Sequence, residues 1–211
     1  MRAEESVQAA IVPSKSALVV VDMQVAFLKQ EEGHAYVASA VETVPTINRL
    51  ASAMRQAGGT VIWLKNIHDE ETERGWTTMC SKAGPEGVAR RAAALGPDRP
   101  GHALWPELEV EPGDPVVVKR RFSAFLQGSS NLEEILREAG IDTLIFTGTT
   151  TDVCVESSAR DAMMLDYKVI VVSDATSAMT EDGHQASLKI LGRNFAEVTD
   201  SEAILGRIAS P

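Results

Sequence analysis

Cysteine is nearly absent: the 211 residues contain two, Cys80 and Cys154, in unlike surroundings. That argues against a disulfide framework and makes a reducing cytoplasm the expected compartment. Long apolar runs are missing as well. The longest, such as Ala17 to Val21, are strand-sized and far short of the roughly 18 to 20 residues needed to cross a bilayer, so no membrane association is expected. The stretch Met1 to Ser16 mixes Arg2 with Glu4 and Glu5 and has only Ala9 to Val12 as an apolar run, too little for the core of a secretory signal. Basic charge is scarce too, with 20 Lys and Arg against 30 Asp and Glu and a formal charge of −10. No Lys/Arg cluster is long enough to neutralise a run of phosphates, so nucleic acid is not an expected partner.

What is present is enough apolar material, 44% of the residues, for one substantial core, and a single domain over 1–211 is expected. Short β-branched runs recur at Ala17–Val21, Thr60–Leu64, Pro115–Val118, Thr143–Phe146, Lys168–Val172 and Ala196–Thr199. Nearly continuous apolar strands of this kind suit a parallel sheet covered on both faces. Helical patterns lie between them. Val37, Val41, Val44, Ile47, Leu50, Ala51 and Met54 form one stripe, ended by Gly58-Gly59, and Pro45 inside it implies a kink or a late start. Leu132, Ile135, Leu136 and Ala139 form a second, stopped by Gly140, and further helices are expected from Cys154 to Leu165 and from Asp182 to Asn194. The alternation predicts a doubly wound α/β fold with helices on both faces of a mainly parallel sheet. One stretch, 69–113, is rich in Gly, Pro and charge and reads as an ordered, lid-like excursion.

In open parallel sheets ligands bind beyond the carboxyl ends of the strands. Asp22 follows the first strand, Lys119 the third, and Cys154 comes a few residues after the fourth, so the three can converge on one crevice. Thr151 or Asp152 is the expected N-cap, which puts Cys154 in the first turn of a helix. Only the thiolate is a strong nucleophile, and lowering a thiol pKa by about 1.5 units takes roughly 2 kcal/mol. The helix terminus supplies part of that and a nearby Lys119 ammonium the rest, leaving Asp22 to handle protons. Each residue alone also has an ordinary reading: a buried core cysteine, a capping aspartate, a solvated Lys-Arg-Arg edge.

The neighbourhoods of the three decide between these readings. Ala17-Leu-Val-Val-Val-Asp22-Met-Gln24 with Phe27, then Lys119-Arg-Arg-Phe-Ser-Ala-Phe125, then Phe146-Thr-Gly-Thr-Thr-Thr-Asp-Val-Cys154-Val155 followed by Ser158-Ala-Arg-Asp161-Ala, resemble the isochorismatase-like cysteine hydrolases in that order. The resemblance implies strand order 3-2-1-4-5-6, a catalytic triad of Asp22, Lys119 and Cys154, and a cis peptide between Thr149 and Thr150. It also implies an oxyanion hole from the backbone N–H groups of Thr150 and Cys154, and a homo-oligomer, dimer or tetramer, with Met163-Met164-Leu165 and the 69–113 region as candidate contact surfaces.

Three activities of that family separate on sequence. Metal-assisted nicotinamidases carry Asp-x-His with a second histidine nearby, whereas this chain reads Asn66-Ile-His68-Asp69-Glu70-Glu71. No metal or cofactor is therefore expected, and His68 either bonds structurally or lines the pocket. True isochorismatases resemble the fold but lack the cysteine nucleophile. The Phe146 to Ala162 segment looks most like ureidoacrylate and biuret-type amidohydrolases, so the expected reaction is C–N cleavage of a small carbamoyl or ureido amide with ammonia release. A nicotinamidase-like deamidase and a catalytically silent scaffold are the alternatives. Phe27 and Phe122, beside the triad motifs, are expected to wall the pocket, with Trp76 and Phe125 as weaker candidates. Arg121 or Arg120 is expected to pair with a substrate carboxylate, unless it is an ordinary surface arginine.

Overall fold

The computed structural model describes residues 11–32 and 34–209, so most of the Met1 to Ser16 stretch lies outside the described residues. Six strands form the sheet: β1 (Ser16–Val21), β2 (Thr60–Asn66), β3 (Val116–Lys119), β4 (Thr143–Thr149), β5 (Lys168–Ser177) and β6 (Glu197–Thr199). Their order is β3-β2-β1-β4-β5-β6, and every pairing is parallel. The expected topology is therefore met, with no antiparallel member in the sheet. Alternation within strands builds two apolar faces. Leu18, Val20 and Ile145 face one core, which the short α1 (Val25–Leu28) borders and which α2 (Ala40–Gln56) and α8 (Ser201–Ala209) cover through Ile47, Leu50, Met54, Ile204 and Ile208. Ala17, Val19, Val21, Leu144 and Phe146 face the other, covered by α5 (Leu132–Glu138), α6 (Glu156–Met164) and α7 (Glu181–Asn194).

One sequence expectation holds and two need correction. The α2 helix starts late, as expected, at Ala40 rather than Val37, and it runs through Pro45, which sits on its exposed side where the carbonyl it leaves unbonded can meet water. β5 extends five residues beyond its apolar run, to Ser177. A register shift between Phe146 and Gly148 re-pairs its polar end as Gly148↔Thr176 and Thr149↔Ser177. Hydrophobic periodicity ends at Val172, so the pattern gave no sign of that second half. The excursion, finally, is mainly helical: α3 (Glu70–Gly75), capped by the Asp69 carboxylate on Thr72 N at 2.8 Å, leads into α4 (Thr77–Leu95). Gly84 at φ +68 and Pro85 break α4 into two pieces, the punctuation that hid it in the sequence. No helix among the described residues is long and apolar enough to cross a membrane.

The winding direction reverses between β1 and β4, and there the two strands come unusually close. Gly148 has φ +96, and a Cβ at that position would stand 2.2 Å from Val21 O and 2.7 Å from Val21 N. Both obstacles are backbone of a buried central strand, so neither can swing aside. Gly148→Ala is expected to cost about 3 kcal/mol or more, and thermal unfolding should show a fall of roughly 6 to 12 °C. A Tm within 2 °C of the parent would mean that β1 and β4 can separate freely at the switch point.

Candidate active site

The first polar residue beyond β1 is Asp22, fully buried and held at φ +50, a left-handed conformation that aspartate tolerates better than most residues. Its N–H donates to Leu64 O at 3.0 Å, and its carbonyl accepts from Gln24 N at 2.8 Å. Gln24 then locks the neighbourhood. Its amide nitrogen donates to Asn66 O and His102 O, each at 3.0 Å, and its oxygen accepts from Asn66 N at 2.7 Å. One buried side chain thus ties the ends of β1 and β2 to the turn Pro100–His102, a positioning role that was present in the Asp22-Met-Gln24 motif but not read from it.

Lys119 ends β3, in register with Asn66 of β2. Its ammonium lies 2.8 Å from Asp22 Oδ2, with both side chains at 0% exposure. Asp22 makes no well-aligned hydrogen bond with either oxygen, so this contact is an ion pair, while the ammonium donates a hydrogen bond to Arg121 O at 3.2 Å. A carboxylate with spare lone pairs is the arrangement a proton acceptor needs.

Cys154 lies on a single π-helical turn, Thr151–Val155, that feeds α6. The Thr149–Thr150 peptide before it is cis, where the resemblance placed it. The expected cap is not found: Thr150, extended at φ −92, is the N-cap and makes no side-chain capping bond. Thr151 instead pairs through its hydroxyl with His184 Nδ1 at 2.9 Å, and its carbonyl accepts from Ser187 Oγ at 3.1 Å, so α7 holds the turn from outside.

The electrostatics also differ from expectation. Burial pushes the Cys154 thiol up to about 12; the Lys119 ammonium opposes the rise and the Asp22 carboxylate adds to it, and burial wins. Burial raises the Asp22 carboxyl above the usual carboxylate range although the Lys119 ammonium opposes it, and Lys119 is raised because Asp22 and Cys154 outweigh its own burial. The resting sulfur is consequently a thiol. The helix-terminus argument from sequence failed because it priced the stabilising charges and left out desolvation of a sulfur that is only 7% exposed.

Cys154 opens onto a cavity of about 190 Å³, lined also by Phe27, His34, Asn66, Arg91, Phe122 and Thr150. A wider groove of about 650 Å³ around His68, Glu70, Glu73 and Arg74 is open and mostly acidic, and it reaches none of Asp22, Lys119 or Cys154. The smaller cavity has Cys154 in its wall, whereas Asp22 and Lys119 are wholly buried and do not line it.

Residues 16–203 match the model of the isochorismatase domain. The chain belongs to the isochorismatase family. A ureidoacrylate amidohydrolase of Serratia proteamaculans is 33% identical to it over 223 aligned positions, 96% of this chain and 86% of that protein. Another, from Rhizobium rhizogenes, is 35% identical, covering 81% of this chain and 73% of its own length. Among solved structures, a cysteine hydrolase of Pseudomonas syringae pv. phaseolicola superimposes with a TM-score of 0.88 at 30% identity and 99% coverage of both chains. An N-carbamoylsarcosine amidase of Thermoplasma acidophilum superimposes with a TM-score of 0.72 at 29% identity, covering 89% of this chain and 97% of that one.

Within this isochorismatase-family site, Phe27 and Phe122 line the cavity, and Trp76 backs it by packing edge-on to Phe122 with centroids 4.8 Å apart. Phe125 sits in the second core against Tyr167. The two arginines expected to meet substrate lie outside the cavity. Arg121 donates to Gly75 O and Arg120 O and rests 5.2 Å over the Trp76 ring. Arg120 pairs with Asp69 at 2.9 Å and Glu71 at 3.0 Å. Arg120 is thus held at the acidic N-terminal end of α3 and Arg121 at its C-terminal end, both away from the pocket. His68 is likewise outside: it is buried, 3.3 Å from Glu73, and lines the wider groove. Among the described residues no group of three or more His, Cys, Asp or Glu side chains is placed to hold a metal. The residues that sequence reasoning missed are His34 and Arg91. Neither borders a recognisable motif, and Arg91 sits within the excursion whose helical character was hidden.

Proposed function

We propose that the protein hydrolyses the C–N bond of a small carbamoyl or ureido amide, releasing ammonia through a covalent intermediate on Cys154. At the coarser level the statement is plain: the chain is an isochorismatase-family hydrolase, its relatives are named amidohydrolases, and it acts on carbon–nitrogen bonds other than peptide bonds. The observation that carries the finer reading is the buried Lys119–Asp22 pair behind a cavity-lining cysteine. In this reaction the Cys154 sulfur attacks the carbamoyl carbon while its proton passes to Asp22. The amides of Thr150 and Cys154 stabilise the oxyanion, and Lys119 stays protonated throughout and fixes the Asp22 carboxylate. Collapse expels ammonia with the proton from Asp22. Water, deprotonated by Asp22, then releases the acyl group and restores the thiol. The names of two relatives, ureidoacrylate amidohydrolase and N-carbamoylsarcosine amidase, support the carbamoyl class.

Two free cysteines suit a cytoplasmic enzyme, and the exposed Met163, Met164 and Leu165 suit a homo-oligomer, which a light-scattering mass would test. The function is tested by measuring ammonia release from ureidoacrylate, N-carbamoylglycine, biuret, nicotinamide and simple amides. Turnover confined to the ureido compounds is expected, whereas turnover of nicotinamide alone would replace this substrate class with pyridine amides.

A further inference from the structure

The cavity wall carries a buried cation without a counter-ion among the described residues. Arg91, on α4, is 8% exposed. One guanidinium nitrogen is 2.8 Å from His34 Nε2, the other donates to Asn66 Oδ1 at 3.2 Å, and Nε is buried without a partner. Other arginines in contact with this chain's carboxylates show the contrast: Arg55 reaches Asp114 at 2.5 Å, Arg120 reaches Asp69 at 2.9 Å, and Arg160 reaches Glu156 at 2.5 Å. Among the described residues no carboxylate lies within ion-pair distance of Arg91. An uncompensated buried charge is costly, so a position that retains one is explained best by an anion that arrives from outside.

His34 extends the pattern. A guanidinium can only donate hydrogen bonds, so His34 Nε2 must be the accepting nitrogen and Nδ1 must carry the proton. Burial, with the Arg91 charge adding to it, lowers the His34 pKa to about 4, which keeps the ring neutral and in that tautomer at pH 7. Its Nδ1 is buried and has no partner. Two side chains that line one cavity with Cys154 therefore offer unmatched donors, Arg91 Nε–H and His34 Nδ1–H, and a guanidinium charge. Two unmatched donors beside a cation fit an acceptor-only group. The amide end of a neutral urea would set N–H against N–H there.

We propose that Arg91, with His34 beside it, binds the carboxylate of the substrate and so restricts the enzyme to short carbamoyl or ureido acids, leaving neutral ureas poorly bound. The inference rests on the amidohydrolase reading for what lies at the Cys154 end of the ligand. The cavity, about 190 Å³, or roughly six waters' worth of liquid volume, allows only a short spacer between the two ends.

Calorimetry separates the two claims because it needs no turnover. With the Cys154→Ala protein, N-carbamoylglycine is expected to bind about 10- to 100-fold more weakly after Arg91→Met, with N-propylurea changed less than threefold. Arg91→Lys, which keeps the charge and loses the fork, should fall between, and it carries the test if Arg91→Met does not fold. In the active enzyme, Arg91→Met should raise KM for N-carbamoylglycine and leave kcat within a few-fold. Equal weakening of acid and neutral probes would make Arg91 a shaper of the cavity and overturn the proposal, as would equal wild-type affinity for both. Arg91-dependent binding of N-carbamoylglycine without any ammonia release would keep this inference and sink the hydrolase reading instead.

Discussion

Cys154→Ala is expected to abolish ammonia release, by at least about 10⁴-fold, while the protein stays folded with a Tm within a few degrees of the parent. The size of the effect follows from how the sulfur is held. With the thiol pushed up to about 12, forming the free thiolate at pH 7 would cost about 7 kcal/mol before any bond is made. Attack therefore has to be coupled to proton transfer, and the carboxylate that interacts with the sulfur is Asp22. Without the sulfur the imidazole in the cavity wall cannot take over as nucleophile, since His34 is tied to Arg91 through its only lone pair. Retention of a tenth of the activity would rule out covalent catalysis at this position. The same variant has a second signature. The thiol pKa is raised on folding from its ordinary 9.0, so the native state keeps a proton that the unfolded chain gives up, and wild-type stability drains away as pH rises from about 9 towards 12. Cys154→Ala lacks that proton and should lose less stability over the same window. A thiolate absorbance near 240 nm, measured as wild type minus variant, should be missing at pH 7 and appear only in that alkaline range.

The fold and the meeting of Asp22 with Lys119 were legible in the sequence for different reasons. Strands buried on both faces leave unbroken β-branched runs, so β1, β2 and β4 could be read directly, and Asp22, Lys119 and Cys154 stood out as polar residues at strand ends. The second half of β5 had no such run. Ser173 to Ser177 is a polar stretch whose Asp174 accepts from Ser201 N at 2.8 Å and so caps α8, a tertiary role that no local pattern reports. Arg121 drew the carboxylate-binding role because it adjoins Lys119 in sequence. In space α3 and Trp76 claim it, and the cavity's cation comes instead from α4, which lies behind a Gly84-Pro85 break. Adjacency to the motifs placed Phe27 and Phe122 in the pocket and missed His34 and Arg91, because the pocket is assembled from residues far apart along the chain and Arg91 reaches it only through the docking of the excursion. The thiol was misjudged for a related reason: the charges around a residue can be guessed from motifs, whereas its depth of burial cannot.

The Lys119–Asp22 pair predicts opposite pH responses from its two single substitutions. Both groups are wholly buried, so removing one strands the other, at a cost of about 3 to 5 kcal/mol, or roughly 6 to 20 °C in Tm for a chain this size. The stranded partner relieves this cost by changing its protonation. In Lys119→Met the carboxyl of Asp22 loses the charge that opposed its burial, so its pKa rises further. A carboxyl whose folded pKa exceeds its unfolded value keeps its stability at low pH and loses it as pH rises, so this variant should be weakest in alkali. In Asp22→Asn, the burial that lowers Lys119 is no longer outweighed by the carboxylate. An amine with a depressed folded pKa is costly wherever the unfolded chain holds its proton, so this variant should weaken as pH falls. The double variant, Asp22→Asn with Lys119→Met, removes both charges, and its Tm should return to within a few degrees of the parent across the range. Its turnover should stay at background, since the proton acceptor is gone. Thermal scans of the three variants at pH 5, 7 and 9 test this directly. Parallel pH profiles for the two single variants would mean that the pair is not an ion pair in solution, and recovered activity in the double variant would remove Asp22 from the chemistry.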